Sequence, residues 1–160
     1  MKRFLFFISL VFLTLPVHGQ SEFLDLNLNG IRSGTTYSVV LQKLGKPASR
    51  KTGGIVPCRD GSTLLTLRYP GLTVELARDE DEKNFSVFTI NVTSPKWAIS
   101  GISIGANIKD VKAKFGQPYH ISKEPKLQGL HYNTKGDGGA VSFYFRRDKL
   151  VKIDWGVNFC

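Results

Sequence analysis

Two cysteines, two histidines and one dense acidic run could do chemistry in this 160-residue chain once its apolar leader is set aside. Cys58 stands in GGIVPCRDG beside Arg59, and a neighbouring cation lowers a thiol pKa and favours a nucleophile. Cys160 ends the chain. In an exported protein an even cysteine count favours a Cys58–Cys160 disulfide over two separate thiols. Such a bridge closes a loop of about 100 residues, worth up to ~4–5 kcal/mol in chain entropy. Two lone cysteines lack the paired spacing that zinc needs. His120 follows Gly-Gln-Pro-Tyr, and His131 sits in an alternating stretch. A catalytic histidine needs a nucleophile or carboxylate held beside it, and neither local sequence supplies one. The run RDEDEK at 78–83 clusters carboxylates as calcium prefers, but lacks the spaced ligands and central glycine of a calcium loop. It reads as a solvated hairpin turn or as a contact loop for a basic partner. KGDGGA at 135–140 lacks phosphate-loop spacing and leads into a strand. Asn84-Phe-Ser and Asn91-Val-Thr match the glycosylation triplet, a weak signal beside strands. The reading is therefore no catalytic residue, no metal and no cofactor.

The chain opens MKRFLFFISLVFLTLPVHGQ. Two cations, a short apolar run, Pro16 and the small residue Gly19 make a secretory signal peptide, residues 1–19. The run is short for a membrane span, and no cysteine stands at the cut for a lipid anchor. Residues 20–160 form one domain with 20 basic and 13 acidic residues, a net charge of +7. That balance suits acidic surfaces. The expected location is secreted or periplasmic, with no membrane span after cleavage.

Residues that act must be positioned, and the positioning elements are written twice. GIRSGTTYSVVLQKLGKP at 30–47 and GISIGANIKDVKAKFGQP at 101–118 share seven of eighteen positions. Ordinary composition predicts about one. Each copy spells a short helix. Tyr37, Val40, Leu41 and Leu44 make one apolar stripe, and Ile108, Val111 and Phe115 make the other. Thr35 or Thr36 and Asn107 suit the helix starts, Gly45 and Gly116 the stops, and Pro47 and Pro118 forbid continuation. Period-two strands follow at 63–69, 72–78 and 85–92, then at 129–133, 140–146 and 149–155. The expected fold class is α+β. Two tandem repeats, about 25–97 and 98–160, each place a helix on a three-stranded antiparallel meander, forming one sheet with both helices on one face.

Alternation assigns that face Leu65, Leu67, Tyr69, Leu72, Val74, Leu76, Phe88, Ile90 and Val92 in the first half. In the second half it assigns Tyr132, Val141, Phe143, Phe145, Val151, Ile153 and Trp155. The opposite face is wide and polar. Its candidate binding residues are Arg68, Glu75, His131, Tyr144, Arg146, Lys152 and Asp154. Tyr144 and Arg146 are too few aromatic and basic neighbours to stack nucleic acid.

The tandem pattern G-I-x-x-G, short helix, L/F-G-x-P and β meander resembles the β-lactamase inhibitor protein family and the small outer-membrane-assembly lipoproteins. The resemblance covers most of residues 25–155. It implies a binding scaffold whose helix-free sheet face does the work. The inhibitor carries a disulfide in each repeat, and this chain departs from that. No inhibitory residue carries over by motif.

The expected function is a secreted or periplasmic protein-binding module, an enzyme inhibitor or an envelope-assembly partner, whose partner is another exported or envelope protein. The alternatives are an exported enzyme with a site at Cys58 or His131, and an envelope protein that binds polyanions or glycans.

Overall fold

The computed structural model describes residues 23–56, 59–135 and 139–157. The leader, Cys58 and Cys160 lie outside the described residues, and the expected signal peptide and disulfide with them.

The chain runs α1 (Tyr37–Leu44), β1 (Ser49–Val56), β2 (Arg59–Tyr69), β3 (Leu72–Arg78) and β4 (Ser86–Val92). The short pair β5 (Ala98–Ile99) and β6 (Ile102–Ser103) leads into α2 (Ile108–Phe115). Then come β7 (His120–Glu124), β8 (Leu127–Asn133), β9 (Gly139–Arg146) and β10 (Lys149–Val157). Eight strands form one antiparallel sheet in the order β1-β2-β3-β4-β10-β9-β8-β7. The last strands of the two halves pair at the centre, Val92 with Ile153 and Ile90 with Trp155.

This corrects the α+β expectation. The fold is mainly β, and the helices are two minor elements of eight residues each. Each half holds four sheet strands, not three. The missed strands are the edges, SRKTGGIV and HISKE, whose side chains do not alternate cleanly. The cover over the core face is mostly irregular chain. Leu26, Leu28, Ile31, Trp97, Ile99 and Ile102 are buried from loops and the short β5–β6 pair, whereas each helix fully buries one residue, Val40 or Val111. An eight-residue helix is too short to hold itself, so it is held by what flanks it.

The two similar stretches make matching contacts. Asn29, Gly30, Gly34 and Gly45 take positive φ, and so do Ser100, Gly101, Gly105 and Gly116. The N–H of Gly34 donates to the Val87 carbonyl, and that of Gly105 to the Leu150 carbonyl. The Tyr69 hydroxyl donates to the Gly45 carbonyl at 3.1 Å, and Tyr132 does the same to Gly116 at 3.1 Å. Each tyrosine thereby ties a strand to the turn that ends a helix. Of the expected caps, Thr36 makes no side-chain cap bond, while the Asn107 N–H donates to the Asp110 carboxylate at 3.0 Å.

Two bulges revise the face assignments. Glu75 pairs with Thr89 but Leu76 with Val87, so Val87 joins the main core and Phe88 leaves it. Phe88 packs with Val56, Ala77 and Leu64 in a second, small apolar cluster. Near β10, Leu150 pairs with Phe145 and Lys152 with Tyr144, so Leu150 is buried and Val151 is the extra residue.

Candidate functional site

The polar face is organised by register. One residue from each of the eight strands lines up across the sheet: Ser49, Arg68, Thr73, Asn91, Asp154, Ser142, His131 and His120. Each stands directly opposite its neighbour, within side-chain reach. A second row runs Thr66, Glu75, Thr89, Gly156 and Ala140. Gly156 and Ala140 are small, so the second row sinks in the middle. The result is an open hollow of about 480 Å³ bordered by Glu75, Thr89, Asn91, Ser142 and Asp154. A Cβ at Gly156 would stand 2.8 Å from Thr89 Cγ2.

Side chains along the rows are already bonded to one another. Thr89 Oγ1 donates to Glu75 Oε2 at 2.8 Å. The Asn91 amide donates to Asp154, whose other oxygen pairs with Lys152 Nζ at 2.6 Å. Lys152 also lies over the Tyr144 ring, 5.4 Å from its centroid. Asp154, Lys152 and Tyr144 are thus brought together, and Glu75 faces Asp154 only across the hollow.

His131 anchors the second-half side. Ser122 Oγ lies 2.9 Å from Nε2, and Ser142 Oγ lies 2.8 Å from Nδ1. One serine donates to the ring, and the ring donates to the other, which suits a neutral imidazole. Partial burial and then the neighbouring His120 push the His131 pKa below its usual value. Four rings gather here. His120 and His131 centroids are 5.2 Å apart, Tyr144 meets His131 edge-on at 6.0 Å, and Tyr119 stands 6.5 Å away. Gly129 makes room for this. A Cβ there would stand 2.5 Å from Ser122 Oγ and 2.7 Å from His131 Nε2.

Two of the seven candidate residues stand apart. Arg68 is exposed in the first row, two strands from the centre. Arg146 is exposed at the end of β9, beside the β9–β10 turn. Sequence reasoning missed Ser122 and Tyr119 and weighed His120 only as a catalytic loop residue, because β7 did not read as a strand. It also missed the hollow, whose signal was the small pair Ala140 and Gly156 on a polar face. Asn91, one of the two glycosylation triplets, spends its amide on Asp154. Among the described residues, no three histidine, cysteine or carboxylate side chains converge as a metal site.

No protein-family model matches the chain, and no curated protein matches it in sequence. Among solved structures it is similar to an extracellular protein containing an SCP domain from Bacillus anthracis, at 17% identity and TM-score 0.49. That match covers 94% of this chain and 51% of the other. It is similar to a cysteine-rich secretory protein from Staphylococcus aureus at 14% identity and TM-score 0.47, covering 79% of this chain and 43% of the other. A candidate β-lactamase inhibitor protein from Streptococcus mutans follows at 17% identity and TM-score 0.32, covering 73% and 79%. The chain therefore spans about half or less of the length of the first two. Among the described residues, no helix is long and apolar enough to cross a membrane.

Proposed function

We propose that this chain is an exported protein-binding module that grips another exported or envelope protein through the polar face of its sheet, as an inhibitor or an assembly partner does. The observation that carries the reading is the cross-sheet row, one residue per strand, running from Ser49 to His120. Within it Asn91 is bonded to Asp154 and His131 to Ser142 across strands before any partner arrives. Such preorganisation lowers the cost of ordering side chains on binding. The ring cluster of Tyr119, His120, His131 and Tyr144 offers the aromatic anchor that interface hot spots favour. Export rests on the leader at residues 1–19.

The test is capture from the producer's exported and envelope fraction, washed at low and high salt. One protein retained at both salts, and lost with Tyr144→Ala, supports the reading. Retention that Tyr144→Ala leaves untouched contradicts it.

A second reading has its own observation. Ser122 Oγ lies within hydrogen-bond reach of His131 Nε2, the pairing a serine nucleophile needs. The far nitrogen faces the Ser142 hydroxyl, where a catalytic triad places a carboxylate. Labelling of Ser122 by a fluorophosphonate would favour the enzyme; an unlabelled Ser122 would remove it.

A further inference from the structure

Away from the row, two hairpin turns lie side by side. β7 turns into β8 at Pro125-Lys126, and β9 turns into β10 at Arg147-Asp148. The pairing of Gln128 with Phe145 sets the turns together. Arg147 and Asp148 both take positive φ, 50° and 62°, which makes the second turn tight. At its base Arg146 and Lys149 stand directly opposite each other. Like charges in that position repel. Lys123, Lys126, Arg146 and Arg147 border a depression of about 490 Å³, shared with Glu124 and Asp148. None of these cations makes an ion pair among the described residues. The turn that precedes β4, in the first half, is instead acidic, Asp79 to Glu82.

We propose that this two-hairpin cleft is an anion site that takes successive phosphate groups of a linear phosphate polymer. An anion seated against Arg146 and Arg147 offsets the repulsion that Arg146 meets from Lys149. Arginine forks and lysine ammoniums suit phosphate oxygens. Pro125, Leu127 and Phe145 line the cleft beside these charges. Polyanion binding runs on charge and counterion release, which a set of unpaired cations supplies. The exposed large apolar residues of this half, Tyr119 and Ile121, sit at the far end of β7 from the cleft. The site is separate from the polar row, and the module could hold a polymer and a protein at once.

The experiment measures binding of the exported, purified chain to inorganic polyphosphate over a salt series. A Lys126→Glu/Arg147→Glu variant is compared with Lys46→Glu/Lys51→Glu, which changes net charge equally elsewhere. The cleft variant should bind at least tenfold more weakly, with a salt slope smaller by about two, one per lost contact. The distant variant should change affinity about twofold or less. A Lys126→Gln/Arg147→Gln variant serves if charge reversal disturbs folding. Equal weakening by both pairs would overturn the proposal, as would no binding at low salt. Equally tight binding to phosphatidylglycerol vesicles, with the same variant dependence, would overturn the polymer in favour of a surface.

Discussion

His131 sits between two hydroxyls and a second imidazole, and its titration reads that environment directly. Burial and the charge His120 acquires both disfavour the imidazolium, so its folded pKa lies below the unfolded value near 6.5. In the window between the two values the unfolded chain binds more protons, so stability rises with pH there. The contribution is therefore present above pH 6.5 and is lost as pH falls through the folded pKa. An NMR titration should place the His131 midpoint below 6.5, and His120→Ala should move it upward. A midpoint above 6.5 would contradict the geometry. Alternation alone placed His131 on the polar face. Its serine partners were hidden, because Ser122 belongs to an edge strand with one apolar residue, Ile121, and no readable period. Glu75, Tyr144, Lys152 and Asp154 were legible for the opposite reason, since they lie in strands whose other face is a continuous core.

Among the elements, the tyrosine latches tie each helix end to the sheet. Burial raises the Tyr132 pKa to about 12, as expected for a hydroxyl kept neutral and donating. Tyr132→Phe should cost about 1 kcal/mol in a denaturant titration, leaving the Gly116 carbonyl short of a partner. Restored stability in the phenylalanine variant would show that the latch does not hold the helix. The β2–β3 turn is less forgiving. Gly71 has φ +72°, and a Cβ there would lie 2.1 Å from Ser94 Cβ and 3.1 Å from Ser94 backbone. Gly71→Ala should cost more than about 2 kcal/mol, from overpacking together with backbone strain, in the same titration. The helix stops at Gly45 and Gly116 were legible, because glycine before proline has few other uses there. The loops that bury Leu26, Leu28 and Trp97 were not, since irregular chain leaves no period to read.

At the scale of the whole molecule, pairing β4 with β10 is what joins two small meanders into one face. It sets Asn91 of one half against Asp154 of the other, and both polar rows cross that seam. The α+β reading failed for a reason visible in the burial. Short helices with strong punctuation look more important in sequence than they are in packing, where the loops beside them bury more. The bulges at Phe88 and Val151 likewise escaped, because a one-residue insertion breaks period two without altering composition. On the proposed function, the polar face, not the helix-bearing face, meets the partner. With the captured protein in hand, calorimetry of two variants decides it. Tyr144→Ala on the polar face should weaken binding at least tenfold, while Lys114→Ala on α2 should leave it unchanged. Loss with Lys114→Ala and none with Tyr144→Ala would put the contact on the other side of the sheet and contradict the account.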